Sequence, residues 1–352
     1  MTHIDSSEIS IVVQGAINNE YTKLVLESLR KSFSKSEIIL STWKGSDVSG
    51  LDFDILVENQ DPGAPVLFPK SKQYHNLNRQ IISTINGIKN ATKKYVLKTR
   101  TDIIFNNCSV LDWFDKFDKR IEYCKILEKK VIICNYYVRF PNILPFHVSD
   151  WVFFGLKKDV ENIWDIPLEP EPDYTKWFYN HELLPEHKNN GEYSHFRHRY
   201  CAEQYIWSEF LKKNGINFTF ENMFDVTKEN INLTNISFVN NLIILPMKKY
   251  GIHFLKFYSE DVKDIYTFTH YEMLYKKYID TSYTINIIKI LTTNKKILKC
   301  QKKLKKHIRK FLKPLKKQHI IFEPFSILFY FFKFLILTFM VSITYIKEIN
   351  NV

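Results

Sequence analysis

Between residues 9 and 105 the hydrophobic pattern alternates in a fixed order between short apolar runs and 3.6-residue periodicity, and that order limits the fold more than any other feature. "ISIVVQ" (9–14) is a continuous apolar run ending at Gln14 and Gly15, as expected for a buried strand that runs into a loop. Tyr21, Leu24, Val25, Leu29 and Phe33 then recur at helical spacing, with Asn19 or a neighbour as the cap and Arg30 and Lys31 near the end. "EIILSTW" and "FDILVEN" read as two further strands, and "DPGAP" as a turn. "HNLNRQIISTINGIKNA" reads as a helix whose apolar face carries Leu77, Ile81, Ile82, Ile85 and Ile88. It leads into "KYVLKTRTDIIF", where a strand starts at Tyr95. Strand, helix, strand, strand, helix, strand predicts an α/β, Rossmann-like fold: a mixed, mostly parallel sheet flanked by helices.

On that layout Gln14, Thr42, Asp61 and Asp102 fall at or just beyond strand ends, the edge where an open α/β sheet binds ligands. Several other chemistries lose their main support. There is no Walker A loop, G-x-S-x-G elbow or G-x-G-x-x-G. The five cysteines are odd in number and include no C-x-x-C pair, which argues against a disulfide framework and fits a reducing compartment. His181, His187, His195 and His198 sit in a polar loop without H-E-x-x-H spacing, so no zinc site is expected from them. "MTHIDSSEIS" has no basic and apolar leader pattern, so no secretory signal is expected. After "VIICNYY" (131–137), the stretch "VSDWVFFG" and a helix around "CAEQYIWSEFLKKNG" suggest a second half that closes a substrate pocket.

Charge divides the chain differently. From Lys295 onward there are 14 Lys and Arg against Glu323 and Glu348, which accounts for the whole net charge of +12 and leaves residues 1–294 neutral in sum. Residues 295–319 place Ile297, Leu298, Leu304 and Ile308 among lysines, predicting a basic amphipathic helix. Residues 320–352 contain an apolar stretch, 324–346, of about the ~20 residues that span a bilayer, interrupted by Lys333. The pair reads as an anchor to an anionic membrane surface on the cytoplasmic side, and not as a nucleic-acid binder. The expected organisation is therefore a domain over 1–294, with halves at about 9–135 and 136–294, followed by the two C-terminal segments.

The polar strand ends resemble the nucleotide-sugar half of a GT-A glycosyltransferase, in which a D-x-D after the fourth strand holds a divalent cation against the donor diphosphate. More specifically, "VVQGAI", "IILSTWKG", "ENQDPG", "NLNRQIISTINGI", "LKTRTD" and "SDWVFFG", in that order, resemble the WavE lipopolysaccharide-synthesis family, a group of bacterial glycosyltransferases. The resemblance covers roughly residues 9–210 and leaves the basic and apolar tail outside. It implies a nucleotide-diphosphate sugar as donor and a lipid-linked saccharide as acceptor, at the cytoplasmic face of the bacterial inner membrane. Gln14, Gly15, Thr42, Asp61, Asn76, Arg79, Lys98, Arg100 and Asp102 would then be the donor contacts. Arg100 stands where the first carboxylate of a D-x-D would be, so either Asp102 alone holds Mn²⁺ or Mg²⁺, or Arg100 neutralises the diphosphate by a bidentate contact. Glu203 or Asp150 would be the catalytic base, and Trp151 would stack on an acceptor sugar. A catalytically inactive nucleotide- or saccharide-binding partner in a polysaccharide-assembly complex is the alternative.

Overall fold

The computed structural model describes residues 4–18, 20–68, 73–181, 197–255 and 265–283. Its strands are β1 (Ile9–Gln14), β2 (Glu37–Trp43), β3 (Ile55–Asn59), β4 (Val66–Phe68), β5 (Gln73–Tyr74), β6 (Tyr95–Arg100), β7 (Ile103–Phe105), β8 (Val131–Cys134), β9 (Phe153–Leu156), β10 (Leu242–Leu245) and β11 (Ile252–Phe254). The helices are α1 (Thr22–Ser32), α2 (Leu77–Lys89), α3 (Lys157–Trp164), α4 (Trp177–Asn180), α5 (Ala202–Lys213), α6 (Lys228–Asn241), α7 (Met247–Tyr250) and α8 (Phe268–Tyr278).

Seven strands form one sheet in the order β10-β8-β9-β6-β1-β2-β3. Pairing is parallel from β6 through β1 and β2 to β3, and between β10 and β8; β9 alone runs antiparallel to both its neighbours. Every residue of β1 is buried, which is why "ISIVVQ" is apolar almost throughout: a central parallel strand is covered on both faces. Strand order reverses between β1 and β6, where Gln14 pairs with Arg100 in the register. A crevice opens at the carboxyl edge of such a switch point. Because β9 is reversed, its amino end reaches the same edge and delivers Asp150 and Trp151 there.

The first helix starts after Tyr21 without a side-chain cap, and Asn18 shapes the turn before it, its side chain accepting from the amides of Glu20 and Tyr21. Arg30 near its end forks to both Asp52 and Asp54, fixing α1 to the segment that enters β3. The second helix lies on β1 and β2 through Gly87. A Cβ at that position would stand 2.4 Å from Val12 Cγ1 and 3.1 Å from the Cβ of Ser41, so the absent side chain is what permits the approach. Gly87→Ala should therefore destabilise the fold by about 1–3 kcal/mol, read as a lower urea midpoint at unchanged slope. A midpoint equal to the parent's would mean that α2 is free to shift.

The two expected halves share this sheet, since β9 and β10 of the second pair with β6 and β8 of the first. The chain divides into two units elsewhere, at residues 1–283 and 284–352. Among the described residues no helix is long and apolar enough to cross a membrane. The basic segment 295–319 and the apolar segment 320–352 lie outside the described residues, as do His187 and His195.

Candidate functional site

At the switch point, β1 ends in Gln14 and then Gly15, whose φ of +124° suits a residue without a side chain. The Gly15 amide donates to the Ser41 carbonyl at 3.1 Å. Thr101 Oγ1 donates to the Ala16 carbonyl at 3.0 Å, so the loops after β1 and β6 are tied together. Gln14 Oε1 accepts from Ser83 Oγ at 2.8 Å, and Ser41 Oγ donates to the Ser83 carbonyl at 2.6 Å. These contacts fasten α2 to the sheet edge. Thr42 lies within 3.3 Å of Ser46 Oγ, and its carbonyl accepts from Asn59, so this expected donor contact holds the loop after β2.

Two arginine forks mark the edge. Arg100 meets Asp102 through Nε at 2.9 Å and Nη2 at 2.8 Å, with 22% and 11% of the two side chains exposed. Arg79 meets Asp61 in the same bidentate way, at 2.8 and 2.7 Å, and its Nη1 donates to Asn76 Oδ1 at 3.0 Å. The Asp61, Asn76 and Arg79 of the sequence reading are thus one cluster, and the Arg79 guanidinium holds the Asp61 carboxyl below its usual range.

Trp151 is buried against Tyr136 and Phe254, with the Arg100 guanidinium over its ring at 4.3 Å. Its indole is a platform for Arg100, where sequence reading expects it to stack on a sugar. Lys98 also departs from expectation. It is fully buried, packs its ammonium over the Trp164 ring at 4.5 Å and donates to the Asp150 carbonyl, so it pins the Asp150 loop from inside the core. Burial pushes its pKa down to about 7.

The two expected catalytic carboxylates act electrostatically on each other. Asp150 is buried, and its Oδ1 has no hydrogen-bond partner among the described residues. Glu203 lies in the first turn of α5, where Gln204 closes the cap: its Oε1 accepts from the Cys201 amide, and its Nε2 donates to the carbonyls of Pro145 and Met223. Burial raises Glu203 well above the usual carboxylate range, and the charge of Asp150 raises it further. The positive end of α5 favours the ionised form, but by less than burial disfavours it. Asp102, Asp150 and Glu203 all act electrostatically on Arg100.

Sequence reasoning overlooked His147 and Arg139. His147 Nε2 is 3.6 Å from Glu203 Oε2, and burial together with the Arg139 charge pushes its pKa down to about 3, so the ring is neutral. The only signal was a lone His three residues before Asp150 in "HVSD". His181, by contrast, stacks on Trp177 at 3.7 Å.

Residues 9–313 match the family described as WavE lipopolysaccharide synthesis. The chain belongs to that family. The WavE match runs about a hundred residues beyond the 9–210 of the sequence reading, taking in α6 and β10 and entering the basic segment. Among solved structures, the chain is similar to 4-diphosphocytidyl-2C-methyl-D-erythritol synthase from Anaerococcus prevotii. Identity is 11%, over 64% of this chain and 94% of that one, with a TM-score of 0.26, too low to bear on the site. No curated sequence matches.

Proposed function

We propose that this WavE chain is a glycosyltransferase that moves a sugar from a nucleotide-diphosphate donor to a lipid-linked saccharide during lipopolysaccharide or surface polysaccharide synthesis. The observation that carries the reading is the Arg100–Asp102 fork at the carboxyl edge of the β1/β6 switch point, with the charges of Asp150 and Glu203 acting on Arg100. In this reading the donor diphosphate takes the Arg100 fork from Asp102, since a guanidinium matches phosphate oxygens bidentately. Gln14 and Gly15 shape the floor, while Arg79, Asp61 and Asn76 meet the nucleoside. The acceptor hydroxyl attacks the anomeric carbon and the nucleoside diphosphate leaves. Glu203 takes the hydroxyl proton.

A divalent cation on Asp102 fits this arrangement poorly. Both carboxylate oxygens already accept from Arg100, so an ion would first have to displace the guanidinium. No step above depends on one. Anchoring at the cytoplasmic face of the inner membrane belongs to the proposal through the charge and hydropathy of residues 295–352. It would confine the enzyme to the surface that holds its acceptor.

Binding of UDP, GDP, CDP and dTDP to the full chain, with and without Mn²⁺, tests the donor site. One diphosphate should be preferred, and Arg100→Ala should weaken it about 10- to 100-fold. No binding by the folded parent would favour an inactive scaffold.

A further inference from the structure

A second cluster has no part in the reaction above. His75 precedes α2, whereas Glu169 and Glu171 follow α3, yet one ligand atom from each lies within 4.8 Å of the others. His75 Nε2 is 2.5 Å from Glu169 Oε2. Glu169 is 2% exposed, and its Oε1 has no hydrogen-bond partner among the described residues. The backbone around it is fixed: Asn78 Nδ2 donates to the Glu169 carbonyl at 3.0 Å, and Asn78 Oδ1 accepts from the Glu169 amide at 2.7 Å. Tyr205 Oη, from α5, donates to the carbonyls of Pro167 and Leu168. Thr175 Oγ1 donates to the outer oxygen of Glu171, and His198 stacks on His75.

We propose that His75, Glu169 and Glu171 bind a divalent first-row transition ion. Two neighbouring carboxylates, one buried and the other half-buried, are costly to keep ionised together unless something positive lies between them. A dication balances the two negative charges beside a neutral imidazole. Metal–ligand bonds of about 2.0–2.2 Å set tetrahedral ligand atoms roughly 3.4 Å apart, so coordination requires the His75–Glu169 contact to open by about 1 Å while the third ligand draws in. The nitrogen ligand favours Zn²⁺ or Mn²⁺ over Mg²⁺, which prefers an all-oxygen shell. The ion would tie the start of α2 to the segment after α3. The charges of His75 and Glu203 act on each other.

The inference does not rest on sugar transfer, because metal retention is measured directly. Full-length protein stripped with chelator is equilibrated with Zn²⁺, Mn²⁺ or Mg²⁺, passed through gel filtration and assayed for bound metal, and Co²⁺ is added to record its visible absorption. Retention of Zn²⁺ or Mn²⁺ near one equivalent is expected. Glu171→Gln and His75→Gln should each lower affinity by at least about tenfold, while Asp102→Asn should leave it unchanged. Far-ultraviolet circular dichroism and thermal melting show whether each variant is folded, and Glu171→Gln, the least buried change, is the safest of them. No retained metal in the parent, or retention that survives both His75→Gln and Glu171→Gln, overturns the proposal. Loss on Asp102→Asn alone would move the ion to the donor edge and overturn it equally.

Discussion

Glu203→Gln should lower the rate of sugar transfer by about 10²–10⁴-fold with little change in donor affinity. The amide keeps the shape of the side chain and the contacts of the first turn of α5, while removing the lone pair that takes the proton. A base acts in its deprotonated form, so parent turnover should climb as pH rises through the Glu203 pKa. Burial and the Asp150 charge raise that pKa, so the ascending limb should lie above the ordinary carboxylate range. Asp150→Asn removes the repelling charge and should shift the limb toward lower pH. Steady-state rates across pH for the parent and both variants test all three statements. Undiminished turnover in Glu203→Gln would transfer the base to Asp150 or discard the mechanism.

The second large effect is on stability. Asn241, at the end of α6, is fully buried, and its side chain clasps the loop at 124–127: Oδ1 accepts from the amides of Ile126 and Leu127, and Nδ2 donates to the Cys124 carbonyl. Asn240 beside it holds Ile121 and Tyr123 in the same way. Asn241→Ala would orphan three buried main-chain groups, and each costs about 1–3 kcal/mol when water cannot reach it. The costs overlap because the loop can yield, so a loss of about 3–4 kcal/mol is expected from urea unfolding at unchanged slope. A loss below about 1 kcal/mol would mean that water replaces the clasp.

The first half of the sheet was legible because its signals are local. "ISIVVQ" and "EIILSTW" are β1 and β2 to the residue, and four of the five apolar positions read for α2 are buried, while Ile82 is half-buried and Ser83, Thr84 and Gly87 complete the buried face. The second half was less so. Four-residue strands such as β8 and β10 acquire meaning only when they pair across more than a hundred residues, and the reversal of β9 is set by that pairing. Site residues divide in the same manner. Arg100, Asp102, Asp150 and Glu203 stand next to recognisable element ends. Lys98 could not be told from a donor ligand, because the alternation of a strand does not say which face receives Trp164. The triad of His75, Glu169 and Glu171 had no local trace, since its members are separated by α2, β6, β8, β9 and α3.

The paired forks at Arg79 and Arg100 mean that the sheet edge carries its own internal counter-ions. An arriving anion must win each guanidinium from a carboxylate already seated in the best geometry, and that carboxylate must then find water or a ribose hydroxyl. Free phosphate, offering a single contact, gains little from this exchange. A nucleotide that engages both arginines while stacking and hydrogen-bonding elsewhere makes up the difference. In the proposed reading the edge would thereby filter against small anions, selecting by the number of simultaneous contacts instead of by charge.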